Sequence, residues 1–103
     1  MRSYKIKISP DALSDIQDST NWYNKQVPGL GTRFKKSVKQ QIETVKTRAE
    51  FYSIRYQNVR CMLVKKFPFL IHFTIDEEAK LVEVFAVFHT SRNPKIWSER
   101  RED

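Results

Sequence analysis

The spacing of apolar residues changes once along the 103-residue chain, and this change limits the folds that the chain can adopt. Between residues 10 and 50, apolar residues recur every three or four positions, which is the period of an amphipathic helix. From residue 54 to residue 88, apolar and polar residues alternate or form short apolar runs, which is typical of strands. Helices grouped before strands predict a fold of the α+β class.

A strand and a first helix are predicted at the N-terminus. Residues 4–8 alternate apolar side chains with lysines, the pattern of a half-buried strand. Ser9 and Pro10 then provide an N-cap and a first helical residue, which predicts a helix from about Pro10 to Gln26. Aspartates at three- and four-residue spacing give this helix an acidic face.

A second helix follows a short breaker. The Pro-Gly-Leu-Gly segment at 28–31 is too short to link two domains, so the helix that ends near Ala49 must pack antiparallel to the first. A basic stripe borders its apolar face and is formed by Lys35, Lys39 and Lys46. We expect the acidic face of the first helix to neutralise part of this stripe.

The second half of the chain predicts a sheet. Apolar runs at 54–56, 59–64, 69–75 and 81–88 are separated by polar turns, and the residues after His89 form a short charged tail. The predicted architecture is an N-terminal strand followed by an antiparallel helical hairpin, packed on one face of a largely antiparallel sheet. The predicted core consists of Leu13, Ile16, Phe34, Val38, Ile42, Ile71, Phe73, Val84 and Ala86.

The length and composition exclude several classes of protein. A chain with 40% hydrophobic residues can build one ordinary core, so we predict a single domain over residues 1–103. No apolar run is long enough to span a membrane, and the first residues lack the apolar stretch of a secretory signal, which predicts a cytoplasmic protein. One cysteine and two histidines give no metal-ligand spacing, and no cofactor motif is present.

The positive charge is concentrated in one segment. The net charge is +7, and residues 25–50 carry seven basic residues against two acidic ones. This excess predicts an anionic partner. The lysine stripe of the second helix, together with Lys65 and Lys66 on the sheet, is the candidate nucleic-acid interface. The alternative is that these lysines only form a solvated, soluble face.

A set of polar residues on the predicted sheet could cleave RNA without a metal. Such a reaction needs a base for the 2′-hydroxyl, cations for the phosphorane and an acid for the leaving oxygen. His89 is the candidate acid or base, and Arg60 and Arg92 are candidate phosphate ligands. Alternatively, the two arginines pair with carboxylates. His72 lies mid-strand and is expected to pack, and Cys61 is expected to be an inert buried thiol.

Short motifs occur in a fixed order from residue 4 to about residue 100. They are Ser9-Pro10-x-Ala12, Asp15-Ile16, Trp22-Tyr23, Pro28-Gly29-Leu30-Gly31 with Phe34, Val59-Arg60, Phe67-Pro68-Phe69 followed by Asp76, and Val87-x-His89-x-x-Arg92-x-Pro94-x-x-Trp97. Together they resemble the toxins of type II toxin–antitoxin systems, in the superfamily of RelE and ParE. The long helical hairpin and the Phe-Pro-Phe entry into a strand are more similar to the ParE branch.

The resemblance implies one of two mechanisms. RelE-type toxins cleave ribosome-bound mRNA with basic residues of the sheet and a C-terminal Tyr or His, whereas ParE-type toxins inhibit DNA gyrase. Arg92 matches the basic position after the last strand, and Lys65 or Lys66 matches the basic sheet position. Trp97 stands at the C-terminal aromatic position, where an indole cannot transfer a proton, so His89 would have to replace it in a metal-independent ribonuclease.

The resemblance also implies a cognate antitoxin with an acidic, disordered segment that folds onto the toxin. The net positive charge favours such a partner. Trp22 is predicted on the acidic face of the first helix, and an exposed indole there points to antitoxin contact unless it packs on a neighbouring loop. Two other functions stay open: a nucleic-acid-binding module without chemistry, and a degenerate toxin that only binds its antitoxin.

Overall fold

A computed structural model describes the backbone of residues 3–101 and the side chains of residues 3–100. Helices and strands follow the predicted order, and the first helix has the predicted bounds. The elements are β1 (Lys5–Ile8), α1 (Pro10–Gln26), α2 (Leu30–Arg48), a 3-10 turn (Ala49–Phe51), β2 (Ile54–Tyr56), β3 (Val59–Leu63), β4 (Phe69–Asp76), β5 (Leu81–His89) and α3 (Pro94–Arg101). This is the predicted α+β fold with an additional C-terminal helix.

The five strands form one mixed sheet in the order β1-β5-β4-β3-β2. The last four strands pair antiparallel with their neighbours, whereas β1 pairs parallel with β5. A parallel pair needs a crossover connection, and the helical hairpin of α1 and α2 is part of the chain that joins the two strands. The prediction of a largely antiparallel sheet is confirmed.

Local sequence signals set the ends of the helical hairpin. The Ser9 side chain accepts a hydrogen bond from the Ala12 amide at 3.1 Å, which caps α1. Gly29 has φ = 89°, a conformation that glycine adopts without a Cβ clash. A Cβ at Gly31 would collide with the carbonyl oxygen of Thr20, so this glycine allows the two helices to approach closely.

The hairpin packs on one face of the sheet and buries a first core. Its central members are Ile16, Phe34, Val38, Ile42, Ile71, Phe73, Val84 and Val87. The prediction that Leu13 lies in this core is wrong, because its side chain is 54% exposed. The buried stripe of α1 instead contains Ala12, Ile16 and Thr20, so Leu13 lies at the border of the helix face rather than over the sheet.

A bulge in β5 places Ala86 on the opposite face from the one predicted. His72 pairs with Ala86 but Phe73 pairs with Val84, so Phe85 is an extra residue in the ladder. After this insertion the alternation of faces shifts by one position. Ala86 is fully buried, but in a second core on the other face of the sheet.

The predicted charged tail is in fact helix α3, which covers the second face. Pro94 begins the helix, and the indole of Trp97 packs into the second core with only 9% of its surface exposed. Other members of this core are Val59, Cys61, Leu70, Phe85, Ala86 and Phe88. Helix α3 therefore covers the second face of the sheet at the C-terminal half of β5, whereas Lys7 and Glu83 further back are partly exposed. This cover explains why that half of β5 is apolar on both sides.

The carboxylate of Asp15 joins three elements at the edge of β5. The ladder between β1 and β5 ends at Val84, and beyond it the Val87 amide donates to Asp15 Oδ2 at 2.9 Å. Arg100 of α3 donates to both oxygens of the same carboxylate, at 2.7 and 3.2 Å, and to the Phe85 carbonyl at 3.2 Å. The sequence predicts that the acidic face of α1 neutralises the lysine stripe of α2. Asp15 on that face instead pairs with Arg100 of α3.

The buried ring of His72 lies at the centre of the second core. Its Nδ1 is 3.0 Å from the Tyr56 hydroxyl and 3.4 Å from the Cys61 thiol. Burial is the main reason that the pKa of His72 is lowered to about 4, and the positive charges of Arg55 and Arg100 lower it further. The expectation that this histidine packs in the protein interior is confirmed, since its exposed fraction is 0%.

Replacing Asp15 by alanine should lower the free energy of unfolding by about 2–3 kcal/mol, because it removes the carboxylate that accepts from both Arg100 and the Val87 amide. Asp18→Ala is the matched control, since Asp18 is an exposed aspartate on the same helix. Urea denaturation monitored by circular dichroism measures both. Equal stability of the two variants would show that the Asp15 contacts contribute little.

The free energy of unfolding should fall by about 2 kcal/mol between pH 7 and pH 5 through His72 alone. The unfolded chain binds this proton near pH 6.5 and the folded chain only near pH 4, so acidification through that window favours unfolding. Denaturation series at several pH values should show this slope in His89→Gln and lack it in His72→Gln. The same slope in both variants would contradict the assignment.

Candidate functional site

A cleft lies between α1 and the end of β5. It has a volume of about 570 Å³ and is lined by Asp15, Asp18, Ser19, Trp22, Tyr23, Phe69, Val87, Phe88, His89 and Arg92. Three of the residues singled out from the sequence, Trp22, His89 and Arg92, therefore line one cavity. Trp22 lies 67 residues before His89 in the chain, so the sequence gave no indication that it lines the same cavity as His89 and Arg92.

The cleft exists because β5 is longer than its partner β1. The strand pairing covers β5 only from Leu81 to Val84, and the rest of that edge faces α1. Residues at three- and four-residue spacing on α1 then form one wall, with Asp15 at its base and Trp22 further along. The indole of Trp22 is 58% exposed and contacts the ring of Tyr23 edge-on at 5.2 Å.

His89 ends β5 with its imidazole held in one tautomer. The amide of Ser91 donates to Nδ1 at 3.0 Å, and the Ser91 hydroxyl lies 2.8 Å from the same nitrogen. Because an amide only donates, Nδ1 must accept, and the proton of the neutral ring is then on Nε2. In this arrangement His89 can donate a hydrogen bond through Nε2, but its acceptor nitrogen is already engaged.

Arg92 follows in the turn after β5. Its amide donates to the carbonyl of His89 at 3.0 Å, which closes the turn. Its guanidinium carbon lies 5.4 Å from the centre of the buried Phe88 ring, a cation–π contact that orients the side chain along the wall of the cleft. The guanidinium group of Arg92 is thus part of the cleft. There it could bind a phosphate or a carboxylate.

The remaining walls are aromatic and acidic. Burial raises the pKa of Tyr23 above its ordinary value of 10, so its hydroxyl is neutral at physiological pH. The Asp15 carboxylate is occupied by Arg100, which leaves the exposed Asp18 as the available anion. The cleft therefore offers flat apolar walls, one guanidinium and one carboxylate, which suits a planar or apolar group with polar flanks.

Lys65 and Lys66 lie in the turn between β3 and β4, at the end of the sheet where β5 also ends. The Thr90 amide donates to the carbonyl of Pro68 at 2.8 Å, which holds this turn against the exit of β5. Lys66 has φ = 70°, the left-handed backbone conformation that residues other than glycine rarely adopt. Both lysines are exposed and lie on the same end of the molecule as the cleft.

The structure does not bring Arg60 to the cleft. One terminal nitrogen of its guanidinium donates to the carbonyls of Glu50 and Tyr52, at 3.2 and 2.6 Å. These bonds fasten β3 to the chain segment around the 3-10 turn. Arg60, which the sequence predicts as a phosphate ligand, is therefore bonded to backbone carbonyls outside the cleft.

The lysine stripe of α2 also lies outside the cleft. Lys35 donates to the side chain of Gln17 at 3.4 Å, and Lys46 pairs with Glu43 at 2.7 Å. Lys39 is exposed. The candidate nucleic-acid residues thus fall into two groups on different surfaces, one along α2 and the other in the turn before β4.

Cys61 is placed where a nucleophile would be inactive. Burial raises the pKa of its thiol to about 11, although the charge of Arg55 opposes that shift. Among the residues that the structure describes, no group of three or more potential metal ligands is found. Within residues 3–101, no helix is long and apolar enough to cross a membrane.

Sequence analysis missed the aromatic walls of the cleft, formed by Tyr23, Phe69 and Phe88. Tyr23 and Phe69 belong to the motifs given above. Both recur with the apolar residues of a helix or a strand, a pattern that predicts core residues rather than site residues. The recurrence of Asp15, Asp18 and Trp22 at i, i+3 and i+7 was a usable signal, since it places three residues on one helix face directed away from the first core. Phe88 gave no separate signal within an apolar strand.

Comparison with known proteins identifies related sequences and folds. The sequence profile of the family described as the ParE toxin of a type II toxin–antitoxin system, parDE, matches residues 6–94. No curated protein sequence matches the chain significantly.

Several solved toxin structures share the fold at low sequence identity. The chromosomal ParDE system from P. aeruginosa matches with a TM-score of 0.77 and 14% identity, over 86% of this chain and 98% of that chain. The isolated RelE toxin from E. coli matches with a TM-score of 0.64 and 16% identity, over 97% of both chains. A RelBE toxin–antitoxin complex from Mycobacterium tuberculosis matches with a TM-score of 0.61 and 14% identity, over 84% of this chain and 98% of that chain.

Proposed function

The chain belongs to the ParE toxin family of type II toxin–antitoxin systems, and we propose on that premise that it arrests growth by inhibiting DNA gyrase. The resemblance predicted from its motifs is confirmed at the level of the superfamily and favours the ParE branch. What we propose is the identity of the target, DNA gyrase. The choice between gyrase and ribosome-bound mRNA rests on the chemistry available at the C-terminal end of the sheet.

The position of Trp97 is the observation that carries this proposal. In RelE-type ribonucleases the C-terminal aromatic position supplies a Tyr or His. Here the indole of Trp97 is 9% exposed and packs against the His72 ring with their centroids 4.8 Å apart. An indole has no proton to exchange near neutral pH, and this one is enclosed in the second core. The corresponding catalytic group is therefore missing.

Two further contacts weaken a ribonuclease mechanism. Arg60 is committed to backbone carbonyls away from the cleft. The acceptor nitrogen of His89 receives the Ser91 amide, so the ring would have to give up that bond before acting as a general base. A toxin that acts by binding its target needs neither group in a reactive state.

Gyrase inhibition is tested with the purified chain in two parallel assays. We expect it to block supercoiling of relaxed plasmid by purified gyrase, and to leave mRNA intact in a translating extract. Intact supercoiling together with mRNA cut on the ribosome would overturn the gyrase proposal. A folded chain that is inactive in both assays and harmless on induction would favour a degenerate toxin.

RNA cleavage is the second candidate function, and one observation favours it. His89 and Arg92 line the same cleft, so a hydrogen-bond donor and a phosphate ligand lie at one site. Lys65 and Lys66 at the same end of the molecule would bind the RNA backbone. In this mechanism His89 replaces the missing C-terminal Tyr or His as general acid.

Alanine variants of His89 and Arg92 discriminate the two mechanisms. If the chain cleaves RNA, each should lower the cleavage rate by about 10²–10⁴-fold. For a gyrase inhibitor we expect both variants to arrest growth after induction. Arg48→Ala, which removes an exposed charge at the far end of α2, is the control for loss of charge, and circular dichroism verifies folding. Loss of growth arrest in folded His89→Ala and Arg92→Ala would favour the ribonuclease.

We propose that a cognate acidic antitoxin neutralises this toxin and contacts Trp22. Two of the similar structures are toxin–antitoxin systems by their descriptions. A net charge of +7 favours an acidic partner. The exposed indole of Trp22 stands at the mouth of the cleft, and an exposed tryptophan on a cleft wall is the kind of anchor that dominates interface energies.

Trp22→Ala should weaken neutralisation by the product of the adjacent reading frame by about tenfold or more while leaving growth arrest intact, because the side chain is exposed in the free toxin. Co-expression followed by growth and co-purification measurements checks this. Phe51→Ala is the matched control, since Phe51 is a 79% exposed aromatic residue outside the cleft. If both variants are neutralised like the parent, Trp22 is not an antitoxin contact.

A further inference from the structure

The cleft between α1 and the end of β5 carries groups to which the proposed inhibition of gyrase gives no role. We call it the aromatic cleft, because Trp22, Tyr23, Phe69 and Phe88 form its apolar walls. Its volume of about 570 Å³ lies within the range of about 300–1,000 Å³ that is usual for small-molecule sites. The aromatic cleft is therefore large enough to enclose a small ligand, and its residues indicate which kind.

The indole of Trp22 offers a flat apolar surface at the mouth of the aromatic cleft. It is 58% exposed, and it meets the Tyr23 ring at an interplanar angle of 77°, so the two rings do not stack on each other. The Tyr23 ring is itself held by contacts with Phe34 and Phe67, whose centroids both lie 5.3 Å away. Exposed aromatic side chains stack with nucleobases, because every base has a flat π-face.

Two hydrogen-bond donors lie on the wall formed by the end of β5. One is the guanidinium of Arg92. The other is Nε2 of His89, which carries the proton of the neutral ring because Nδ1 accepts from the Ser91 amide at 3.0 Å. The exposed Lys65 and Lys66 at the same end of the molecule add positive charge. This wall therefore suits a phosphate, whose oxygens accept hydrogen bonds from such donors.

Polar groups of α1 line the same cavity. Asp18 and Ser19 both belong to its lining, and Asp18 is exposed. The other carboxylate of the cleft, that of Asp15, is bound by Arg100 at 2.7 Å, so Asp18 is the carboxylate available to a ligand. A carboxylate accepts hydrogen bonds from ribose hydroxyls, as it does in dinucleotide-binding folds. The α1 side of the cleft therefore suits a sugar.

We propose that the aromatic cleft binds a nucleotide. The base stacks on Trp22, the ribose hydroxyls donate to Asp18, and the phosphate accepts from Arg92 and His89. The nucleotide is bound without being cleaved, because the phosphate needs only a donor from His89 and leaves the bond between this ring and the Ser91 amide intact. The inference goes beyond the proposed inhibition of gyrase, which does not require a nucleotide.

Simpler ligands use only part of the aromatic cleft. An inorganic anion would bind Arg92 but leave the aromatic walls in contact with water. An apolar ring would cover those walls but leave the guanidinium without an anion. A nucleotide joins a planar base to a phosphate through a sugar, so it satisfies both parts of the cleft together.

Three ligands separate the contributions of the base and the phosphate. Isothermal titration calorimetry measures the affinity of the purified full chain for adenosine 5′-monophosphate, for adenosine, which lacks the phosphate, and for ribose 5-phosphate, which lacks the base. We expect the monophosphate to bind at least about tenfold more tightly than either of the others. Its binding should also quench tryptophan fluorescence, because Trp22 is exposed, whereas Trp97 is enclosed in the second core.

The phosphate contact is tested with Arg92→Gln. This variant should weaken binding of the monophosphate at least about tenfold and leave the affinity for adenosine unchanged, because only the phosphate contacts the guanidinium. Lys95→Gln is the matched control, since Lys95 is an exposed cation in the same part of the chain that does not line the aromatic cleft. It should leave both affinities unchanged.

The base contact is tested with two variants of Trp22. Trp22→Ala should weaken binding of both adenosine and its monophosphate at least about tenfold, whereas Trp22→Phe should retain most of the affinity because a phenyl ring still stacks. Phe51→Ala is the control, since Phe51 is an exposed aromatic residue outside the aromatic cleft. Circular dichroism should show the parental fold for each variant.

Several outcomes would overturn the proposal. Absent binding of the monophosphate at about 1 mM, equal affinities for it and for ribose 5-phosphate, or equal effects of Arg92→Gln and Lys95→Gln would each exclude a nucleotide site. A 5′-phosphorylated trinucleotide identifies the source of the nucleotide. Weaker binding than that of the monophosphate assigns the cleft to free nucleotides, and tighter binding assigns it to the end of a nucleic-acid chain. Supercoiling assays without added nucleotide test the proposed target separately, so either proposal can fail alone.

Discussion

The contact of Asp15 with the Val87 amide and Arg100 holds the C-terminal half of this protein in place. β5 extends past the end of β1, so its outer edge would expose unpaired backbone groups. The Asp15 carboxylate receives one of these amides, and Arg100 donates to the Phe85 carbonyl. Because Arg100 lies on α3, the same contact anchors the helix that covers the second core. One partly buried carboxylate on α1 thus binds groups 72 and 85 residues further along the chain.

This arrangement decides which surfaces can act. Once α3 covers the second face beside Phe85–Phe88, the candidate functional cleft lies at the margin of the sheet. This aromatic cleft occupies the end of β5, where α1 takes the place of a strand. The position of Trp97 inside the second core removes it from any reaction. The proposed action of the toxin, by binding a target rather than cleaving one, is based on this burial.

The positive charge of the chain is divided between two surfaces. Arg92, Lys65 and Lys66 lie at the end of the sheet near the aromatic cleft, whereas the lysines of α2 border cavities with aliphatic walls. Charge alone would assign both groups to nucleic acid. The residues beside each group separate them, because aromatic walls can stack with a base, whereas aliphatic side chains offer no ring for stacking. The composition of the walls therefore carries more information than the net charge.

The sequence by itself determined the local elements and the family. Ser9 and Pro10 set the start of α1, and the period of the apolar residues predicted the two long helices and the succession of strands along the chain, because these signals act over a few residues. Only the tertiary structure decided the rest. One inserted residue at Phe85 moved Ala86 to the other face, and the buried stripe of α1 passed through Ala12 and Ile16 and left Leu13 exposed. Helix α3 is held by the burial of Trp97 and by an ion pair between residues 85 positions apart. Faces, cavities and partners depend on such long-range contacts, which no local pattern records.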